Sequence, residues 1–390
     1  MFDEVTGFGG GTFPLGTGTL NLTVRSGPDE PIFQLAERIN PKRAFLFVST
    51  LLGRHVPVRP SDHFRAIDSL VERCDPDQLE GPVLVMGYAE TAVGIGAAVA
   101  RGLSRRAPAA DLLYLSTTRH PVPGREWVRF SEGHSHATEH HVLNPGPHPA
   151  LDSGPVTLVL VDDETTTGAT FAALGGALAA AGVRIKRVLL VTLTDWSDGA
   201  ASKAVSAIAP GVEVRSVSLL DGSWSWTPDP ASKPPKLPEQ VTPAYDLWVP
   251  TDEGSPRSGI SCWSDLSIDE VVRSLNPQRG EELLIIGTGE QVWGPMVLAE
   301  RLEGEGANVK VIATTRSPIL LGDVIRHKVT FPDHFGVGVP MYLHNVPSGP
   351  SARVVVVTET GADRICPTLR SHLGSGLILD GSGQLTEFGV

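Results

Sequence analysis

With three cysteines in 390 residues (Cys74, Cys262 and Cys366), widely spaced and odd in number, the chain argues against a disulfide scaffold or a cysteine zinc cluster. Basic charge is also short: 32 Lys and Arg against 44 Asp and Glu give a net charge of −12. Nucleic-acid binders need a basic face, so no nucleic-acid partner is expected. An anionic substrate must then be held by local N–H groups, a few arginines and a metal ion, not by the overall field. No apolar run approaches the ~20 residues of a membrane span, so no membrane partner is expected either. The first residues, Met1-Phe2-Asp3-Glu4-Val5-Thr6-Gly7, are acidic and glycine-rich, unlike a signal peptide. The expectation is a cytoplasmic enzyme of two or three domains, each with its own core.

Proline, by contrast, is concentrated. Pro228, Pro230, Pro234, Pro235, Pro238 and Pro243 fall within a short stretch with few apolar residues. Such a segment reads as an extended surface linker over 226–244, separating a domain at 1–225 from one at 245–390. In the first part, apolar runs at Ala44–Ser49, Pro82–Met86, Asp111–Ser116 and Arg187–Leu193 alternate with helical patterns at Thr91–Leu103 and Phe171–Ala181. That alternation predicts βαβ units and a mostly parallel sheet flanked by helices. Leu20, Leu22 and Val24 alternate like an edge strand or a separate small layer.

The most informative segment is Leu158 to Thr170. Four apolar residues end in Asp162 and Asp163, and Glu164, Thr165, Thr166, Thr167, Gly168, Ala169 and Thr170 then open a helix. In an open α/β sheet, ligands sit outside the carboxyl ends of strands. A helix N-terminus there offers free N–H groups and a positive dipole end to a phosphate. The two carboxylates accept well from sugar hydroxyls. An N-capped strand–helix turn would not call for two acids and three threonines.

This segment resembles the phosphoribosyl-pyrophosphate (PRPP) loop of the type I phosphoribosyltransferases. The resemblance implies that fold, with Asp162 and Asp163 on the ribose 2′- and 3′-hydroxyls and Thr166 to Thr170 around the 5′-phosphate. Glu164 departs from it, standing where the family usually has an apolar residue. Thr166 stands where the enzymes for 6-oxo purines carry an Asp, which argues against that subtype. Gly87-Tyr88-Ala89-Glu90 follows a strand and opens a helix, and in the family such a loop binds pyrophosphate. The long stretch from Ser116 to Asn144 lies where type I enzymes close a mobile basic loop. Arg119, Arg125 and Arg129 are its candidate phosphate clamps, and His134, His136, His140 and His141 its candidate donors to the leaving group or acceptor. A histidine-rich tract can also bind zinc, although no pair-and-pair spacing supports that here, or can be a solvated loop. A variable hood over the acceptor is expected from the first strands or from the linker.

The second half echoes the first. Gly87, Glu90 and Thr117-Thr118-Arg119-His120-Pro121 are matched by Gly287, Glu290 and Thr314-Thr315-Arg316-Ser317-Pro318, and Phe130 by Phe331. The strand Val354–Val357 runs into Thr358-Glu359-Thr360-Gly361-Ala362, where the acid pair would fall. We read a second α/β domain that is a degenerate repeat of the first and has lost its acid pair. Gly287-x-Gly289 is a poor dinucleotide turn, because Val292 takes the third glycine's place.

Asn40 to Ser49, Leu52-Gly53-Arg54-His55-x-Pro57, Ser131 to His136 and Thr315 to Pro318 make the whole chain similar to proteins that join an orotate phosphoribosyltransferase-like domain to a TRSP domain, found in tellurium-resistance and stress gene clusters. The resemblance implies transfer of ribose 5-phosphate from PRPP to a nitrogen of a base-like acceptor. Mg²⁺ would be held mainly by the diphosphate, the ribose hydroxyls and water, and a homodimer is possible. A PRPP-binding regulator without turnover is the alternative.

Overall fold

The structure, a computed structural model, describes residues 10–38, 40, 43–131, 139–232, 255–261, 263 and 266–389. Two antiparallel pairs come first: β1 (Gly11–Leu15) with β2 (Gly18–Ser26), and β3 (Phe33–Glu37) with β4 (Phe45–Ser49). Then follow α1 (Pro60–Arg73), β5 (Gly81–Gly87), α2 (Ala92–Arg106) and β6 (Ala110–Ser116). A hairpin of β7 (Glu126–Ser131) and β8 (Glu139–Leu143) and the short α3 (Pro149–Asp152) lead into β9 (Val156–Thr165), α4 (Ala169–Ala180), β10 (Ile185–Asp195), α5 (Ala200–Ile208) and β11 (Glu213–Pro228).

A seven-stranded sheet runs in the order β1-β2-β11-β10-β9-β5-β6, parallel from β11 to β6. Its central strands, such as Val83–Met86 and Val188–Val191, are buried on both faces. That explains their unbroken apolar runs, since helices cover a parallel sheet on both sides. Three local expectations change. β2 is not an edge strand, because it pairs with β1 on one side and β11 on the other. The run at 44–49 is β4 of a separate pair, not a strand of the main sheet. The stretch after Ser116 contains a hairpin instead of an open loop: Val128 and Phe130 are buried while Arg129 and Ser131 face out, the period of a strand.

The second part contains α6 (Leu266–Leu275), β12 (Glu282–Gly287), α7 (Trp293–Gly304), β13 (Asn308–Ala313), the hairpin β14 (Lys328–Pro332) and β15 (Pro340–His344), β16 (Arg353–Val357), α8 (Pro367–Leu373), β17 (Gly376–Leu379) and β18 (Leu385–Phe388). Its sheet runs β13-β12-β16-β17-β18. Thus β6-β5-β9-β10 and β13-β12-β16-β17 share one order, all parallel. The units part only at the next strand, where β11 is parallel and β18 antiparallel to its neighbour. No helix among the described residues is long and apolar enough to cross a membrane.

The repeat extends to single hydrogen bonds. Thr117 N donates to Gly87 O at 2.8 Å and Thr314 N to Gly287 O at 2.9 Å. Ala89 N donates to Thr117 Oγ1 and Gly289 N to Thr314 Oγ1, both at 2.9 Å. Thr118 exchanges backbone bonds with His141, and Thr315 with Tyr342. Gly87 pairs with Val161 and Gly287 with Val357, so Thr358 and Glu359 occupy the places of Asp162 and Asp163. The second unit therefore retains one acid, Glu359.

The units also exchange arms. Val58 pairs with Val311 on the edge of the second sheet through bonds of 2.9 and 2.8 Å, and Ile260 pairs with Tyr114 on the edge of the first at 2.9 Å each way. Each arm satisfies edge backbone groups that would otherwise face water. Each also carries an arginine inward. Arg54 donates to Gly289 O and Thr314 O at 2.7 Å and to Glu90 O at 2.5 Å. Arg257 meets Glu359 at 2.7 Å and Glu290 at 3.5 Å.

Candidate functional site

At the carboxyl ends of β5 and β9 lies a cavity of about 580 Å³. Its floor is Asp162 and Asp163, where β9 leaves the core: Val156 to Val161 are buried and the acids are half-buried. Thr166, Thr167, Gly168, Ala169 and Thr170 form the next wall as the chain turns into α4. Gly168 is required there. Its φ is 72°, and a Cβ would collide with the Ala201 backbone.

Burial pushes the Asp163 carboxyl above its ordinary range, and Glu164 adds to the rise. Hydrogen bonds pull the other way, including one from Thr91 Oγ1 at 2.9 Å. A carboxylate this short of water favours any ligand that brings hydroxyl donors or positive charge.

Glu164, the departure from the expected pattern, forms a two-point ion pair with Arg43 at 2.5 and 3.0 Å. Arg43 lies 4.8 Å over Phe45 and 5.2 Å over Phe47. An acid in place of an apolar residue thus clamps the β3–β4 pair over the strand end. Arg38, Asn40, Arg43, Leu46, Phe47 and Ser49 from this region line the cavity, followed by Leu52 and His55. A cover was expected from the first strands or the linker. The first strands belong to the sheet, the linker lies mostly outside the described residues, and β3–β4 supplies the cover.

Tyr88, Ala89, Glu90 and Thr91 form the wall at the end of β5, with Arg119 beside them. Gly87 lies just behind this wall. A Cβ on it would come within 2.6 Å of Ala92 O and Tyr114 Oη, so its absence lets α2 start close to the strand. The buried Tyr88 ring packs edge-on to Phe171 and Phe130 and fixes the loop against α4.

The remaining candidates separate. Arg125 and Arg129 lie on the hairpin outside the cavity lining, Arg125 on Asn144 O and Arg129 beside Glu126 and Glu139. His140 and His141 are buried in β8 against Thr117 and Glu126, at 2.8 and 2.5 Å, so they brace the hairpin and do not face the cavity. His134 and His136 lie outside the described residues. Among the described residues no group of three or more His, Cys, Asp or Glu is arranged to hold a metal ion.

One wall comes from the second unit. Thr315, Arg316 and Ser317 line the same cavity. Arg316 Nε lies 3.2 Å from Glu90, which also accepts from Thr315 Oγ1 and Arg316 N at 3.3 Å. Glu290 makes the reciprocal contact, accepting from Thr118 Oγ1 and Arg119 N at 2.6 Å. Each unit's glutamate therefore holds the other's Thr-Arg turn, and the backbone of Arg119 is set by the second unit. The repeated Gly-x-x-Glu and Thr-Thr-Arg patterns carried that signal, but spacing alone does not reveal a contact across units.

Two family models match consecutive stretches: phosphoribosyl transferase over residues 32–223, and the TRSP domain that lies C-terminal to it over 259–369. Among solved structures the chain is similar to adenine phosphoribosyltransferase from Trypanosoma brucei in complex with AMP, pyrophosphate and ribose-5-phosphate. The identity is 14% over 49% of this chain and 76% of that one, with a TM-score of 0.33. It is also similar to the enzyme from Giardia lamblia complexed with 9-deazaadenine (16%, 48% and 93%, TM-score 0.34). Orotate phosphoribosyltransferase from Aeropyrum pernix gives 21%, 48% and 86%, with a TM-score of 0.30. No curated protein matches the chain.

Proposed function

Because the chain belongs to the phosphoribosyl transferases that carry a C-terminal TRSP domain, we propose that the cavity at Asp162 and Asp163 transfers ribose 5-phosphate from PRPP to a nitrogen of a base-like acceptor. The first unit has the type I phosphoribosyltransferase fold. One observation carries the reading. Two adjacent carboxylates and a Thr-Gly-Ala-Thr helix entrance share one cavity, which is what a ribose bearing a 5′-phosphate requires.

In the reaction the acceptor nitrogen forms a bond to the anomeric carbon as the bond to pyrophosphate breaks, and the proton on that nitrogen leaves. Asp162 and Asp163 hold the ribose hydroxyls and favour the positive charge that develops on the sugar. Thr166 to Thr170 take the 5′-phosphate with the first N–H groups of α4. Tyr88 to Glu90 and Arg119 face the pyrophosphate. The hard oxygen donors of Asp162 and Asp163 suit Mg²⁺, whose other ligands would be PRPP oxygens and water. When bound, the ion neutralises charge on the diphosphate.

Calorimetry with PRPP and Mg²⁺ tests the site. The wild type is expected to bind, and D162N/D163N to lose binding; equal affinities would sink the assignment. Pyrophosphate release in a screen of base-like acceptors then tests transfer itself.

A further inference from the structure

The Thr-Arg turn of the second unit touches both flanks of the first site. On one flank Thr315 Oγ1 and Arg316 N donate to Glu90, in the loop that ends β5. On the other, Leu320 N donates to Glu37 O at 3.0 Å and Ile319 bridges to Arg38, at the end of β3. Ile319 is fully buried there, packed with Ala36 of β3 and Val48 of β4. Backbone bonds of 2.9 and 2.8 Å with Tyr342 tie the turn to its own unit as well. Arg316 therefore reaches the cavity from a backbone fixed on every side.

Its guanidinium is held ready without being used up. Nε lies 3.2 Å from Glu90, and Nη2 lies 3.1 Å from His120 Nε2. Burial, with Arg316 and Arg257 nearby, holds the His120 imidazole well below its ordinary value, so a neutral ring accepts from Nη2. These contacts take two of the five N–H groups a guanidinium offers. Nη1 makes no hydrogen bond among the described residues, and Arg316 lines the cavity.

The duplication points to the same group. Arg119, the counterpart of Arg316, lines the same cavity. Two equivalent turns thus bring their arginines to one open strand end, while Arg257 fills the other end. The lining holds four arginines and four carboxylates, so the cavity has no net positive charge to offer a diphosphate. Such a ligand depends on single, well-placed donors, and a guanidinium fits phosphate oxygens with two parallel bonds. Arg316 sits on the β5 flank with Glu90, away from the α4 entrance at 166–170 that suits the 5′-phosphate.

Resting on the transferase reading above, we propose that Arg316 contacts the diphosphate of PRPP, so that the second unit completes the substrate site of the first. As the bond from the anomeric carbon to the diphosphate breaks, Arg316 meets the charge left on the departing oxygens. The alternative is that Arg316 only neutralises Glu90, and the experiment separates the two. Calorimetry on the full-length protein with Mg²⁺ compares PRPP with ribose 5-phosphate, which lacks the diphosphate. R316M is expected to weaken PRPP about tenfold or more, one charge-assisted contact's worth, and to leave ribose 5-phosphate within about threefold. R316K keeps the charge without the fork, so it should weaken PRPP by a smaller factor and spare ribose 5-phosphate. It carries the comparison if circular dichroism shows R316M unfolded. The substitution is then read in an E90Q background, where no carboxylate is left to neutralise. E90Q/R316M should bind PRPP about tenfold or more weakly than E90Q. Equal PRPP affinities in those two proteins, or equal losses of PRPP and ribose 5-phosphate in a folded Arg316 variant, would overturn the proposal. Failure of the wild type to bind PRPP would instead overturn the transferase reading.

Discussion

Two strand ends in this molecule share a backbone and differ in what lies beyond them. After Val161, β9 presents Asp162 and Asp163 to a cavity of about 580 Å³. After Val357, β16 presents Thr358 and Glu359, and Arg257 fills the space, with His334 3.9 Å from the carboxylate. The equivalent acids accordingly shift in opposite directions. Asp163 is raised, chiefly by burial. Burial pushes on Glu359 as well, but Arg257 and the neighbouring His334 override it and hold that carboxyl below its ordinary range. A carboxylate neutralised by a guanidinium of its own protein is structural, and one without such a cation in a cavity is available to a ligand. Duplication supplied the strand end twice, and the arm carrying Arg257 closed one copy.

The largest effect that would break this comparison is loss of ligand binding. D162N/D163N should weaken PRPP by about 100-fold or more, since two charge-assisted contacts of ~1.5–3 kcal/mol each are removed. T358A, at the equivalent place, should leave the affinity within about twofold; equal losses in calorimetry would mean the two ends are not functionally distinct. Next comes stability. R257M leaves Glu359 and Glu290 buried without their guanidinium and should cost roughly 3–5 kcal/mol in urea unfolding, as breaking a buried pair does. A loss below about 1 kcal/mol would show that the second end is not held by charge. A smaller effect crosses between the units. E290Q removes the charge behind the 2.6 Å bonds to Thr118 and Arg119 and should weaken PRPP about tenfold, one charge-assisted contact's worth, although Glu290 belongs to the second unit.

The smallest effect is in the pH dependence, and its sign differs between the two ends. Glu359 is lowered in the fold, so its stabilisation is present above the ordinary glutamate range and is lost as pH falls through that range and below. Asp163 is raised, so its ionised form costs stability at neutral pH, and the cost disappears on acidification. Thermal unfolding should therefore find D163N more stable than wild type at neutral pH and E359Q less stable, with both differences shrinking in acid. A D163N protein that melts earlier at neutral pH would contradict the raised carboxyl.

Much of the first site was legible because it is local. One run from Leu158 to Thr170 contains a buried strand, both acids and a helix entrance, and the acids and the entrance line one cavity in the structure. The central strands and α2 and α4 were legible for the same reason, since apolar period and run length depend on near neighbours. The hairpin after Ser116 was missed because its strands are short and it carries histidines that suggested chemistry. In the fold His140 and His141 are buried structural partners. Glu164 read as an anomaly because its explanation, Arg43, lies 121 residues away.

By itself the sequence determined the α/β class, the position of the acid pair and the existence of a repeat, since each rests on side-chain order along a few turns of chain. Tertiary structure alone decided which strand end stays open. The exchange of Val58 and Ile260 onto the opposite sheet edges, the reciprocal grip of Glu90 and Glu290, and the filling of one site by Arg257 all join residues far apart in the chain. Such contacts leave no periodic trace, because partners brought together by folding are constrained by charge and distance and not by spacing.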